Sequence, residues 1–175
     1  RRFSRTGLFG RKMFLCFTSI HAMKKTFWTL FAALILFAMG TSAHAQNFGG
    51  AVALAGSDAI VGQSGANSTN SSVYVYRKAA DGEWIETAQL VRSDNNGEDD
   101  RFGRAIAADN TTLLVGATLV DNSTGAVYVF TKDASGNWME TGKLAAEGVL
   151  EGETFGRSIA LSDEFALVGS AGANG

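Results

Sequence analysis

The sequence predicts an all-β fold made of repeated four-stranded antiparallel sheets, and three observations carry that prediction. Sixteen positions between Phe48 and Leu90 recur identically, in the same order and without a gap, between Phe102 and Leu144. Within each copy, short runs of β-branched, aromatic and small residues alternate with Asp, Asn, Ser and Gly, the pattern of strands and turns. After Ala45, no apolar run keeps the spacing of a helix face for long enough to form one.

The elements follow in chain order. Residues 1–22 open on Arg1 rather than Met and read as an upstream or leader extension, disordered, with Met23 the expected start and Met13 the alternative. Residues 23–45 read as a signal peptide. Met23-Lys24-Lys25 is a positive start, Phe27 to Met39 is an apolar core broken only by Thr29, and Ala43-His44-Ala45 is a small–x–small exit. As a helix, that apolar core reaches only about 20 Å, short of a hydrocarbon core of roughly 30 Å, so a membrane anchor is not expected there. Cleavage is expected between Ala45 and Gln46. Cys16 follows Phe14-Leu15 without the small residue that lipidation requires, so no lipid anchor is expected.

Residues 46–175 divide into two full units, 48–101 and 102–154, and a partial third, 155–175. The period, read from Phe48 to Phe102 to Phe155, is that of a repeat protein. In the second unit, Arg104 to Ala108 is a strand and Asp109-Asn110 a turn. Thr112 to Ala117 is the second strand, followed by a polar loop, Asp121 to Gly125. Ala126 to Thr131 is the third strand and Trp138 to Leu144 the fourth. Apolar residues on both faces of the third strand mean that both faces are covered. Gly49, Gly103 and Gly156 each follow a Phe, where bare backbone permits tight packing on a neighbouring unit. Gly62, Gly116 and Gly169 close the second strands. The third unit keeps Phe155, Gly156, Arg157, Ile159, Ala160 and Leu167 to Gly169 before the sequence stops in mid-unit, which reads as a truncation. Four strands in a unit of this length make a β-propeller blade, so the fold expected is a partial β-propeller. An incomplete ring leaves apolar end faces in water at a cost on the order of 10 kcal/mol, so residues 46–175 alone are expected to be unstable or to aggregate.

Phe102-Gly103-Arg104-Ala105-Ile106-Ala107, Leu114-Val115-Gly116-Ala117, Gly125 to Phe130, Trp138 and Leu144 together resemble the FG-GAP repeat. That repeat is the blade unit of integrin α-subunit propellers and of many bacterial secreted proteins. The likeness runs from Phe48 to the end and is nearest to the bacterial variety. It implies a propeller, usually of seven blades, acting as an extracellular recognition surface. Integrin-type units often carry an Asp-rich calcium loop between the Phe-Gly and Val-Gly-Ala elements. Here Ala108 to Thr112 and Leu161 to Phe165 are too short to wrap a cation, so those ligands do not carry over.

Charge and composition bound the chemistry. All seven basic residues of 1–45 stand without an acid; the remaining eight face all 17 acidic residues, a net −9 over 46–175. That balance excludes nucleic acid as the expected partner. Cys16, His21 and His44 all precede the cleavage site, which removes disulfides, Cys/His zinc sites and His-based catalysis from the mature region. The acidic stretch Asp94 to Asp100 lacks EF-hand order and is expected to be a solvated loop, calcium being the alternative. The pairs Asp99/Asp100 and Glu151/Glu153 are expected to be surface charge rather than the acid and base of a glycosidase. Trp84 and Trp138 are expected to pack in the core. The sequons at Asn67, Asn70, Asn110 and Asn122 are expected to form turns. No catalytic, cofactor-binding or metal-binding residue is assigned, and no membrane span in the mature chain. The expectation is a secreted, periplasmic or cell-surface recognition or adhesion module for a protein or glycan, non-catalytic in this segment. The alternatives are a structural spacer, or part of a propeller hydrolase whose catalytic carboxylates lie in other blades.

Overall fold

A computed structural model of the chain describes residues 47–65 and 71–172. The leader assignments over 1–45, the Ala45/Gln46 cleavage site and the sequons at Asn67 and Asn70 lie outside the described residues.

The first sheet is antiparallel and runs in chain order: β1 (Phe48–Ala55), β2 (Asp58–Gln63), β3 (Ser72–Lys78) and β4 (Trp84–Leu90). The second repeats it with β5 (Phe102–Ala108), β6 (Thr112–Ala117), β7 (Ala126–Lys132) and β8 (Trp138–Leu144). A two-stranded hairpin follows, β9 (Ser158–Leu161) with β10 (Ala166–Gly169). The bounds expected for the second and fourth strands of the second unit agree with β6 and β8. The first begins at Phe102 rather than Arg104, because the Phe-Gly pair is already part of the strand.

The repeat extends to the irregularities of the sheets. Register shifts fall between Phe48 and Ala51 and again between Phe102 and Ile106, and between Val75 and Tyr76 and again between Val129 and Phe130. The first of each pair is a bulge with a recurrent backbone. Asn47, Arg101 and Thr154 precede the three Phe residues at φ of 61°, 55° and 52°, and the glycines that follow stand at 81°, 83° and 88°. The turn is closed by Gly50 N–H donating to Asn47 O and Arg104 N–H to Arg101 O, at 3.1 and 3.0 Å. Left-handed backbone costs a non-glycine residue about 1–2 kcal/mol, so packing must hold Arg101 and Thr154 there.

That packing lies between sheets. A Cβ on Gly62 would sit 2.2 Å from the carbonyl oxygen of Gly103, and one on Gly116 would sit 2.1 Å from that of Gly156. The same glycines face Ile106 Cδ1 and Ile159 Cδ1, at 3.1 and 3.4 Å from that Cβ position. Each sheet therefore has a leading face, carrying the Phe-Gly bulge and Ile106 or its equivalent, and a trailing face, carrying the glycine of its second strand. Strand alternation places Asp58 and Ile60 on the same trailing face as Gly62. The core fills this layer: Ile60, Val73, Val75, Phe102, Leu113, Val115 and Tyr128 are buried. The Phe102 ring meets Tyr128 edge-on at 5.7 Å and Phe130 at 6.1 Å.

Antiparallel order sorts the connections to two ends. The β1–β2, β3–β4, β5–β6, β7–β8 and β9–β10 turns are short and share one end. The β2–β3, β4–β5, β6–β7 and β8–β9 connections are long and share the other.

Candidate functional site

The long-loop end of the second sheet holds a polar cleft of about 440 Å³, lined by Arg92, Asp94, Glu98, Asp99, Asp100 and Asp121 among others. Two connections build it, residues 91–101 between β4 and β5 and residues 118–125 between β6 and β7. The second is not simply a polar loop. Val120–Ser123 makes one tight turn in which Asp121, Asn122 and Ser123 all take positive φ, and its neighbour Val120 is buried as an anchor.

Arg92, buried at the base of the acidic loop, organises it. Its Nε donates to Asp100 Oδ2; its Nη1 donates to Asp94 O and Oδ1, at 2.5 and 2.8 Å; its Nη2 donates to Asn96 Oδ1 at 3.0 Å. Asp100 is buried too. Its Oδ1 accepts the Phe102 N–H at 2.8 Å, and its carbonyl accepts the Leu119 N–H at 3.1 Å. One guanidinium thus ties the loop to the Phe-Gly bulge and, through Asp100, to the start of the neighbouring loop. The loop is solvated over Asp94 to Glu98, as expected, but it is folded rather than loose, with the buried Arg92 and Asp100 giving it a cation of its own at the centre. Among the described residues, no three acidic, His or Cys side chains converge as a metal ion would require.

Asp94 is the second hub. Tyr128 Oη lies 2.8 and 3.0 Å from its two oxygens, and Lys143 Nζ lies 2.9 Å from Oδ2 and 3.0 Å from Asp121 Oδ2. Burial opposes ionisation of Asp94, but the hydrogen bonds from Arg92, Lys143 and Tyr128 outweigh it and hold the carboxyl well below the usual range. Burial, with Asp94 as acceptor, pushes the Tyr128 hydroxyl up to about 12. Burial works against the Lys143 charge, yet Asp94 and Asp121 raise its ammonium above the ordinary lysine value. Asp94 is therefore ionised, and Tyr128 and Lys143 protonated, across the physiological range. These three groups act as fixed charges and donors.

The opposite end carries a separate cluster between the sheets. Asp58, fully buried, accepts from Arg77 Nε at 2.7 Å and Nη2 at 3.2 Å, Lys132 Nζ at 3.0 Å and Trp138 Nε1 at 3.1 Å. Arg77 Nη2 also donates to Gly136 O at 2.7 Å. Burial raises the Asp58 pKa, but the Arg77 and Lys132 bonds dominate and the net shift is downward. Two donors come from each sheet, so this is a clasp across the seam.

The structure separates the acid pairs read from the sequence. Asp100 faces Arg92, whereas Asp99 caps its own turn through the Arg101 N–H at 3.3 Å. Glu153 accepts the Leu150 N–H at 3.0 Å and holds its own loop. Asp109, in the short loop excluded from calcium binding, is engaged by the Thr111 and Thr112 N–H groups at 2.7 and 2.6 Å. Trp138 is buried as expected, while Trp84, its equivalent in the first sheet, is only half-buried. Arg92 and Asp58 were not singled out by the sequence. The one available signal was a lone Arg opening an acidic loop.

The FG-GAP repeat model matches residues 84–130 and 138–175. Both matches begin on the Trp that starts the last strand of a sheet. The first therefore takes β4 from one sheet and β5, β6 and β7 from the next, and spans a seam. No curated protein matches the chain. Among the described residues, no helix is long and apolar enough to cross a membrane.

Proposed function

Because this chain is an FG-GAP repeat protein, we propose that it is a non-catalytic recognition module acting outside the cytoplasm, presenting its long-loop end to a protein or glycan. Repeats of this family are common in extracellular, adhesion-type proteins. The observation that carries the reading is the cleft between the 91–101 and 118–125 loops. Its charges are fixed by Arg92, Lys143 and Tyr128 before any ligand arrives, so little ordering cost remains on binding. A general acid would need a carboxyl whose pKa is raised toward neutrality; Asp94 is shifted the other way. Glu98, Asp99 and Asp121 form an acidic rim that suits hydroxyl-rich or cationic groups.

Binding of the chain to a glycan array and to a panel of extracellular proteins tests this. A Glu98→Lys/Asp99→Lys variant alters the rim without touching Arg92 or Asp100. Loss of a specific interaction in that variant supports the reading. Unchanged binding, or turnover of a chromogenic glycoside by the parent chain, overturns it. Export is tested separately, by N-terminal sequencing of secreted protein, with Gln46 the residue expected first.

A further inference from the structure

One of the two loops that wall the cleft carries a reactive pair. Among the described residues, Asn96 is the one asparagine followed by a glycine, and both residues are exposed. Gly97 takes a φ of 83°, and nothing lies within 4 Å of its Cβ position, so the space beside its backbone is open. The Asn96 amide is polarised at its oxygen. Arg92 Nη2 and the Glu98 N–H donate to Oδ1 at 3.0 and 3.2 Å, and Nδ2 donates to Glu98 Oε2 at 2.9 Å. Two oriented donors on Oδ1, one of them charged, draw electron density from Cγ and stabilise an oxyanion formed there. One bond restrains the pair: the Gly97 N–H donates to Asn95 Oδ1 at 2.9 Å.

We propose that Asn96-Gly97 is a site of spontaneous deamidation, through which the cleft gains a carboxylate after synthesis. The Gly97 nitrogen gives its proton to solvent hydroxide and attacks Asn96 Cγ. The new C–N bond closes a succinimide; the bond from Cγ to Nδ2 breaks, and Nδ2 leaves as ammonia with a proton taken from water. Water then opens the ring. Addition at Cγ leaves an aspartate in the normal main chain. Addition at the main-chain carbonyl of residue 96 leaves an isoaspartate, with the main chain running through Cγ. The balance is one water in and one ammonia out, with nothing oxidised or reduced. The aspartate product still offers Arg92 Nη2 an acceptor but has lost the donor to Glu98. Two carboxylates then face each other where an amide met one, and like charges drive Glu98 away. The rim of the cleft exchanges a neutral donor for a negative charge. This chemistry needs no partner, so it stands apart from the reading of the cleft as a binding surface.

Incubation of the chain of residues 1–175 in neutral buffer tests this. Peptide mapping by mass spectrometry follows amide loss, an isoaspartyl methyltransferase assay reads the isomerised product, and far-ultraviolet circular dichroism checks that the sheets persist. A synthetic peptide of residues 90–101 is the unfolded reference. In the chain, Asn96 is expected to convert while Asn110, Asn122 and Asn137, each followed by a residue with a side chain, keep their amides. Asn95→Ala releases the Gly97 N–H and is expected to speed conversion severalfold. Asn96→Gln, whose longer side chain closes no succinimide, is expected to keep its amide. The proposal is overturned if Asn96 retains its amide in the chain after the peptide has converted. It is also overturned if Asn110, Asn122 or Asn137 converts first, if Asn95→Ala converts no faster than the parent, or if Asn96→Gln loses its amide as fast.

Discussion

The two seams between successive sheets share one backbone contact and differ in everything around it. At the first seam, Gly62 on Gly103 is flanked at one end by the Asp58 clasp. At the other end stand Tyr128, Lys143 and Asp94, with Ser93 donating to both oxygens of Glu140. At the second seam, Gly116 on Gly156 is flanked by main chain. Thr154 N–H donates to Ser123 O and Phe155 N–H to Thr124 O, at 3.0 and 2.7 Å, beside a parallel bridge from Gly125 to Phe155. Thr112 and Phe165 take the place of Asp58 in the later units. The close glycine contact is thus the constant that sets how sheets stack. Side-chain clasps are local additions that fix how firmly a given pair stays stacked.

The strongest way to break this comparison is to remove the constant. Gly62→Ala drives a methyl into the Gly103 backbone and is expected to destabilise the whole array by about 3 kcal/mol or more, read by chemical denaturation. Gly116→Ala places the same clash at the second seam and is expected to release β9–β10 locally. Hydrogen exchange would show lost protection there while the first sheet stays protected. Gly142→Ala, with nothing within 4 Å, is the tolerated control. Equal global destabilisation by both seam variants would refute the hierarchy.

Next in size is the clasp. Asp58→Ala leaves Lys132 and the Trp138 indole without their shared acceptor and is expected to cost about 3 kcal/mol, with Asp58→Asn costing less. Because the folded pKa of Asp58 is depressed, its contribution is complete above the ordinary carboxylate value near pH 4 and is lost as pH falls through the lowered value. Melting temperature against pH should therefore drop less steeply on the acid side in Asp58→Asn than in the parent. A third test concerns the cleft. Arg92→Met leaves Asp100 buried without its cation and is expected to cost about 2 kcal/mol, with exchange rising over 93–101 and not over 155–169. The smallest effect is expected for Ser93→Ala, whose exposed bond to Glu140 should be worth less than about 0.5 kcal/mol.

What recurs was legible in the sequence; what occurs once was not. The strands, the stacking of units and the role of the glycines after Phe48, Phe102 and Phe155 all follow from identities that return once per unit. The Asp58 clasp joins residues 80 apart on different sheets, and its two later counterparts are Thr and Phe, so no periodicity marks it. Arg92 likewise has no equivalent, because the next unit places Ala146 there. The left-handed backbone at Arg101 and Thr154 was hidden for another reason. Neither residue type favours it, and bonds to other groups of the chain, among them Arg101 N–H to Asp99 and Thr154 N–H to Ser123 O, hold it in place.

The offset between the matched repeat and the sheet has one more consequence. The stretch 84–130 starts just after the compact Ala79–Glu83 hairpin turn and contains both loops that wall the cleft, along with Arg92, Asp94, Asp100, Asp121 and Tyr128. A genetic exchange that cuts at that hairpin would transplant the residues lining the cleft as one cassette, with Lys143 supplied by the strand that follows. The cleft could then pass between related genes without any splice through the loops that wall it.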